Sequence, residues 1–359
     1  MTNLSDLPIR DALRGREPYG APQLHVPVAL NVNENTHPIP DEVAAHILTK
    51  LETALHTINR YPDREFLELR GALANYLGQG LKAEQIWAAN GSNEVIQQIF
   101  QAFGGPGRKA LSFDPTYSMY GLIAQGNDTE YVSRARGERF VLSPALAVSA
   151  VREFGPDITL ICSPNNPTGT PVAREVIEAV YAATDGIVVV DEAYAEFAHD
   201  TDSSAISLLP GRERLLVSRT MSKAFAFAGA RVGYLAADPA VIDALRLVRL
   251  PYHLSAFTQA AAIGALDFAP TMLSTVDEIK VQRDRIIAEL AALGLDPYDS
   301  DSNFVLFGGL ADAAATWQKL LDQGVLVRNM GIPGTLRVSS GTEAETTTFL
   351  EALRVALAE

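Results

Sequence analysis

Apolar residues recur along this chain with two different spacings. From Pro40 onward, stretches such as 41–58 (DEVAAHILTKLETALHTI) and 64–78 (REFLELRGALANYLG) carry them at the period of a helix with one buried face. Between such stretches stand short, almost wholly apolar runs: 157–163 (DITLICS), 186–192 (GIVVVDE) and 214–219 (RLLVSR). Helical segments such as 173–184 (AREVIEAVYAAT) separate them. Apolar runs alternating with helices predict βαβ units around a mostly parallel sheet, since a parallel strand must be reached by a crossover. The expected class is therefore α/β.

Near residue 250 the rhythm changes. Residues 254–293 read as long helix, with Gly294 as the expected C-terminal cap. Then follow an apolar run at 302–308 (SNFVLFG), a helix at 315–324, short strands at 325–329 (VLVRN) and 335–341 (TLRVSSG), and a last helix from 343. This predicts a smaller α+β unit. The expected division is an N-terminal arm over 1–40, a large unit over 41–252 and a small unit over 253–359. The arm is rich in turn residues, Pro18, Gly20, Pro22, Pro27, Pro38 and Pro40 among them. It is expected to pack on the small unit or to act as a lid.

Composition narrows the function. A length of 359 residues suits about two domains. Lys and Arg number 29 against 43 Asp and Glu, a net charge of −14, which argues against a protein that coats nucleic acid. One cysteine excludes an internal disulfide and a thiolate zinc site. No run of about 18 apolar residues predicts a membrane span. With so little cysteine a cytoplasmic location is expected, and the first 20 residues are charged and broken by Pro and Gly, without the apolar core of a signal peptide. The six histidines are scattered, with no His-Glu-x-x-His spacing.

Three strand ends carry the candidate chemistry. The first run ends in Ser163-Pro164-Asn165-Asn166-Pro167-Thr168-Gly169, the second in Asp191-Glu192-Ala193-Tyr194, and the third in Arg219-Thr220-Met221-Ser222-Lys223, with Arg231 beyond. Each alone has an ordinary reading: a turn, a helix cap, a solvated charge. In an open parallel sheet, however, ligands sit beyond the carboxyl ends of the strands, so these groups can share one crevice. Asp191 and Glu192 are neighbours on a strand and point to opposite faces, so they are not a paired acid and base. Asn90-Gly91-Ser92-Asn93-Glu94 precedes the apolar helix VIQQIFQAF, and a helix N-terminus is a natural phosphate site.

Taken together and in this order, the motifs resemble the fold-type I aminotransferases that use pyridoxal 5′-phosphate. The resemblance runs from Tyr19 to the final helix and implies a large domain with a mostly parallel sheet flanked by helices, plus a smaller α+β domain. It implies that Lys223 is joined to the cofactor through its ε-amine and later carries the proton. It implies that Asp191 pairs with the ring nitrogen, that Asn166 and Tyr194 meet the phenolic oxygen, and that Tyr117, in Asp114-Pro115-Thr116-Tyr117, stacks on the ring. Ser92, Asn93, Ser222 and Arg231 would hold the phosphate. Tyr61, in Arg60-Tyr61-Pro62-Asp63, would reach the phosphate of a neighbouring subunit, which implies a homodimer.

A finer resemblance is to the histidinol-phosphate aminotransferase family. It is carried by Arg14-Gly15, Pro18-Tyr19-Gly20, Leu30-Asn31-Val32-Asn33-Glu34-Asn35, Trp87 through Glu94, Arg219 through Phe225, and Leu250-Pro251-Tyr252-His253-Leu254-Ser255. It implies transfer of an amino group from L-histidinol phosphate to 2-oxoglutarate in histidine synthesis. Arg337 would bind a carboxylate, Arg328 the substrate phosphate, and Tyr19 and Tyr252 would lie near the substrate. Asn35-Thr36-His37-Pro38 departs from the family's Asn-Pro at that turn. Tyr120 reads equally as a substrate contact or as core, and His37 and His253 as structural. The alternatives are an aromatic amino-acid aminotransferase and, further off, an amino-acid-phosphate decarboxylase. A transcription factor of the same fold is set aside, because the chain has no room for a basic helix-turn-helix domain.

Overall fold

The computed structural model describes residues 3–15 and 20–358. A seven-stranded sheet forms the centre. With β1 as Val28–Ala29, its strands are β2 (Ile86–Asn90), β3 (Lys109–Asp114), β4 (Glu130–Ala135), β5 (Ile158–Cys162), β6 (Ile187–Asp191), β7 (Leu215–Thr220) and β8 (Val232–Ala236). Their spatial order is β2-β8-β7-β6-β5-β3-β4. Only β8 runs against its neighbours. The three apolar runs read from the sequence are the adjacent central strands β5, β6 and β7. Their residues are almost wholly buried because helices cover both faces.

A second, antiparallel sheet is built from β9 (Asp296–Pro297), β10 (Phe304–Gly308) and β12 (Leu336–Ser339), in the order β12-β10-β9. The arm enters here: β1 pairs in parallel with β11 (Val325–Leu326). Val28 and Leu30 join the smaller apolar core formed with Ile286, Leu290, Val305, Phe307, Val338 and Phe349.

The stretch 254–293 is not one helix. It breaks into Ala256–Leu266, Ala269–Met272 and Thr275–Ala292. Pro270 explains the first break, because it lacks an N–H and stands in the first turn of the new helix. Apolar residues of this stretch through Ile279 belong to the large core, and the smaller core begins at Ile286. The change of partner therefore falls within the helix Thr275–Ala292 rather than at residue 253.

Arg283, fully buried on that helix, donates to the carbonyls of Phe197 (2.7 Å) and Ser302 (3.4 Å) and so ties the large unit to the small one. On the outer side Arg139 binds Asp296 and the carbonyl of Pro297, with its guanidinium over the ring of Tyr298.

Candidate active site

The carboxyl ends of β5, β6 and β7 open into a cavity of about 390 Å³. Its lining includes Asn166, Asp191, Tyr194, Ser222, Lys223 and Arg231, together with Ser92, Asn93 and Tyr117. Ten of the residues singled out from the strand ends and the loops before helices thus meet in one place once Arg337 is added.

Asp191 lies at the end of β6, fully buried, with Glu192 on the opposite face bound to Arg219 and to the backbone of Ala205. The alternation expected along a strand separates the two carboxylates. Oδ2 of Asp191 accepts a hydrogen bond from the Tyr120 hydroxyl at 2.7 Å, while Oδ1 is buried without a partner. Burial pushes the Asp191 carboxyl up to about 6, against the opposing pull of the Tyr120 hydrogen bond.

The amine of Lys223 donates to the carbonyl of Val32 at 3.0 Å. Burial first, and then the positive charge of Arg337, lowers its pKa to about 8. Asn166 donates to the Tyr194 hydroxyl at 3.2 Å and accepts from Arg337 at 2.5 Å. A second amide, Asn33, donates to the same hydroxyl at 3.0 Å. Burial raises the Tyr194 pKa, so this hydroxyl keeps its proton. Tyr117 donates to Oδ1 of Asn93 at 3.0 Å.

A second part of the cavity is built from backbone. The helix Ser92–Phe103 begins at the rim after Gly91, whose φ of 85° is left-handed. Glu94 caps the turn by accepting from the backbone and side chain of Asn90. A Cβ on Gly91 would stand 2.5 Å from the Arg231 guanidinium. One on Gly233 of β8 would stand 2.1 Å from the backbone of Gly91 and Ser92. Two glycines therefore allow helix, strand and guanidinium to meet closely enough to form an anion cradle.

Arg337 is 5% exposed, on β12, and donates to the carbonyl of Asn31 as well as to Asn166. Arg328 forms an isolated antiparallel bridge with Arg337 and reaches the carbonyl of Gly20 in the arm. Both arginines line the cavity.

Two of the residues read from the sequence stand elsewhere. Tyr61 is 80% exposed and Tyr252 has a left-handed φ of 60°. Their rings stack on each other at 4.4 Å, and neither lines the cavity of its own chain. Tyr19 lies outside the described residues. His253 stacks on Trp87 and meets the carbonyl of Ala88, and His37 faces Glu278.

The sequence reading missed several residues that hold this arrangement. Buried Arg136 donates to the carbonyls of Phe113 and Cys162 and to Asn165. Asn165 is thereby spent on structure, leaving Asn166 to the cavity. Asn33, quoted only within a motif, meets Tyr194 directly; Tyr120, read from the sequence equally as a substrate contact or as core, is buried and meets Asp191. Nothing in the spacing around Arg136 marks it, whereas Tyr120 stood one helical turn beyond a residue already singled out.

The donor set fits pyridoxal phosphate. The orphaned Oδ1 of Asp191 suits a protonated ring nitrogen, the cradle at Gly91 suits a phosphate, and a buried amine of lowered pKa stands in the same cavity. Among the described residues no cluster of three or more metal-ligating side chains occurs, and no helix is long and apolar enough to cross a membrane.

Comparison with known proteins agrees. Residues 26–353 match the family described as aminotransferase class I and II. The chain is 62% identical over 360 aligned residues to the histidinol-phosphate aminotransferase of Paenarthrobacter aurescens, covering 99% of this chain and 97% of that one. It is 55% identical over 359 residues to the one of Streptomyces avermitilis, covering 98% and 97%. Among solved structures, the Sinorhizobium meliloti histidinol-phosphate aminotransferase in complex with pyridoxal-5′-phosphate superposes with a TM-score of 0.84 at 25% identity, covering 93% of this chain and 91% of that one.

Proposed function

The chain belongs to the class I and II aminotransferases, and from that premise we propose that it is a pyridoxal phosphate enzyme transferring the amino group of L-histidinol phosphate to 2-oxoglutarate. The reading includes a cytoplasmic homodimer built from an arm, a large unit and a small unit. The observation that carries the substrate is the pair Arg328 and Arg337, bridged to each other and lining the cavity that holds Lys223. Histidinol phosphate offers a phosphate and no carboxylate, whereas glutamate offers two carboxylates. One site must accept both in turn, and two arginines suit that alternation, since guanidinium grips either kind of planar or tetrahedral oxyanion.

When bound, pyridoxal phosphate supplies an electron-withdrawing ring that makes the Cα–H of an amino donor acidic. The chain's own residues do the rest. The Asp191 carboxylate would hold a proton at the ring nitrogen. Asn166 and Tyr194 would hold the phenolic oxygen, and Tyr117 would stack on the ring. Ser92, Asn93, Ser222 and Arg231 hold the phosphate, with backbone N–H groups of the helix beginning at Ser92 adding to the positive end. Lys223 would hold the cofactor through its neutral amine and would be the base that takes the Cα proton. Tyr61, stacked on Tyr252 at the surface, is read as reaching the cofactor phosphate of the second protomer, and Tyr252 as lying near the substrate. Tyr19, outside the described residues, is read as a substrate contact.

The test is a half-reaction. Cofactor-loaded protein is mixed with L-histidinol phosphate, or separately with L-phenylalanine, without any keto acid, and its visible absorbance is followed. Fast bleaching with histidinol phosphate and slow bleaching with phenylalanine is the expected result. The reverse order makes the protein an aromatic amino-acid aminotransferase. Loss of carbon dioxide from the donor would instead make it a decarboxylase.

A further inference from the structure

Tyr120 is unusual among the residues around the cavity because nothing in the proposed chemistry uses it. It is fully buried, yet its hydroxyl donates to Oδ2 of Asp191 at 2.7 Å. A buried phenol that served packing alone would cost free energy for its unpaired polar atom. The same ring stands edge-on against Tyr117, with centroids 5.5 Å apart at 86°. Tyr120 therefore touches both the side chain that would cover the cofactor ring and the carboxylate that would face its nitrogen.

We propose that Tyr120 is a positioning residue for the cofactor: its hydroxyl occupies Oδ2 of Asp191, fixes the rotation of that carboxylate and leaves Oδ1 as the oxygen offered to the cavity. The proposal rests on the pyridoxal phosphate reading. Among the described residues Oδ1 is the oxygen left without a partner, and Tyr120 holds Oδ2, with the Ala193 backbone N–H also turned toward the carboxylate. The donation also stabilises the charged form of a carboxyl that burial would otherwise neutralise. Tyr120 gives up no proton itself, because burial and the neighbouring Asp191 hold its pKa well above the usual phenol value. The other titratable groups around Asp191 are Cys162 on the adjacent strand, Glu192 on the far face and Lys223 across the cavity.

The experiment measures pyridoxal phosphate affinity of the full-length protein, stripped of cofactor, as a function of pH, for the wild type and Tyr120→Phe. Binding needs an ionised Asp191, so affinity falls as pH drops through the Asp191 midpoint. In Tyr120→Phe the carboxyl loses its donor. Its midpoint rises by about one pH unit, from about 6, so affinity falls about two-fold at pH 7 and about ten-fold at pH values well below the wild-type midpoint, as expected for a hydrogen bond to a charged group. The step contributed by Lys223 at higher pH stays where it is. As a second variant with no risk to the fold, 3-fluorotyrosine at position 120 alone, a stronger donor, shifts the Asp191 midpoint down. An unchanged midpoint in both variants overturns the proposal and leaves Tyr120 as packing. A wild type that binds no pyridoxal phosphate at any pH overturns the cofactor reading instead, so the two failures are distinct.

Discussion

At neutral pH an ordinary lysine is almost wholly protonated and cannot attack a carbonyl. Lys223 stands half-buried in a cavity with Arg337 and Arg231 nearby, and its pKa is lowered to about 8. A lowered pKa leaves more neutral amine at a given pH. The rate of cofactor capture, followed by visible absorbance after adding pyridoxal phosphate to stripped protein, should therefore rise with pH and level off above about 8. A rate still climbing toward pH 10 would mean an unshifted lysine. Arg328 carries a second prediction. Arg328→Ala should weaken histidinol phosphate by about 1.5–3 kcal/mol, read as a ten-fold or greater rise in KM. Phenylalanine, without a phosphate, should be much less affected. Equal losses for both would remove the phosphate role. These residues were legible because the chemistry needs particular types at strand ends, and such types are rare beside apolar runs. Arg136 and Asn33 were not legible. Their partners, Asn165 and Tyr194, are distant in sequence, and no local spacing encodes a contact across the fold.

Gly91 and Gly233 lie on separate elements and are useful only together. The turn before the helix Ser92–Phe103 presses against β8 so closely that a methyl group on Gly233 would overlap the backbone of Gly91 and Ser92. Gly233→Ala should displace that turn, lower thermal stability by about 1–3 kcal/mol and weaken pyridoxal phosphate binding; a melting curve and a cofactor titration check it. Wild-type values in both would show that the cradle has more room than the backbone implies. Element type followed from pattern where burial is two-sided, as in β5 to β7, because such strands read as continuous apolar runs. Strand direction did not follow. β8 is as apolar as its neighbours but runs antiparallel, since the loop from β7 returns directly beside it. The helix read over 254–293 failed at Pro270, where apolar periodicity continues although the backbone cannot.

Whether the active unit is a dimer is a question about the whole molecule. Tyr61 and Tyr252 are stacked and exposed, and Leu250 and Ile58, near them in sequence, are exposed as well. If Tyr61 serves the partner's site, Lys223→Ala and Tyr61→Ala proteins should each be nearly inactive. When mixed and reassociated they should regain about a quarter of wild-type activity, because half of the dimers are then mixed and each holds one intact site. No recovery, with mixed dimers verified by mass, would place Tyr61 in its own protomer's chemistry. Arg283, and Arg139 with Tyr298, join segments far apart in the chain.

The amino-acid order was enough to establish a parallel α/β core, the strand ends that carry polar groups, and the kinds of side chain a cofactor of this class requires, because those features are local and repeat at the periods of helix and strand. Folding in three dimensions settled the matters that depend on distance rather than order. Asp191 acquires its buried donor from Tyr120, Asn165 and Asn166 part to opposite tasks, the small core starts within a helix, and Tyr61 leaves its own site for the surface. Each of these turns on which residues remote in sequence come into contact, and a hydrogen bond or an apolar contact is felt only at van der Waals range.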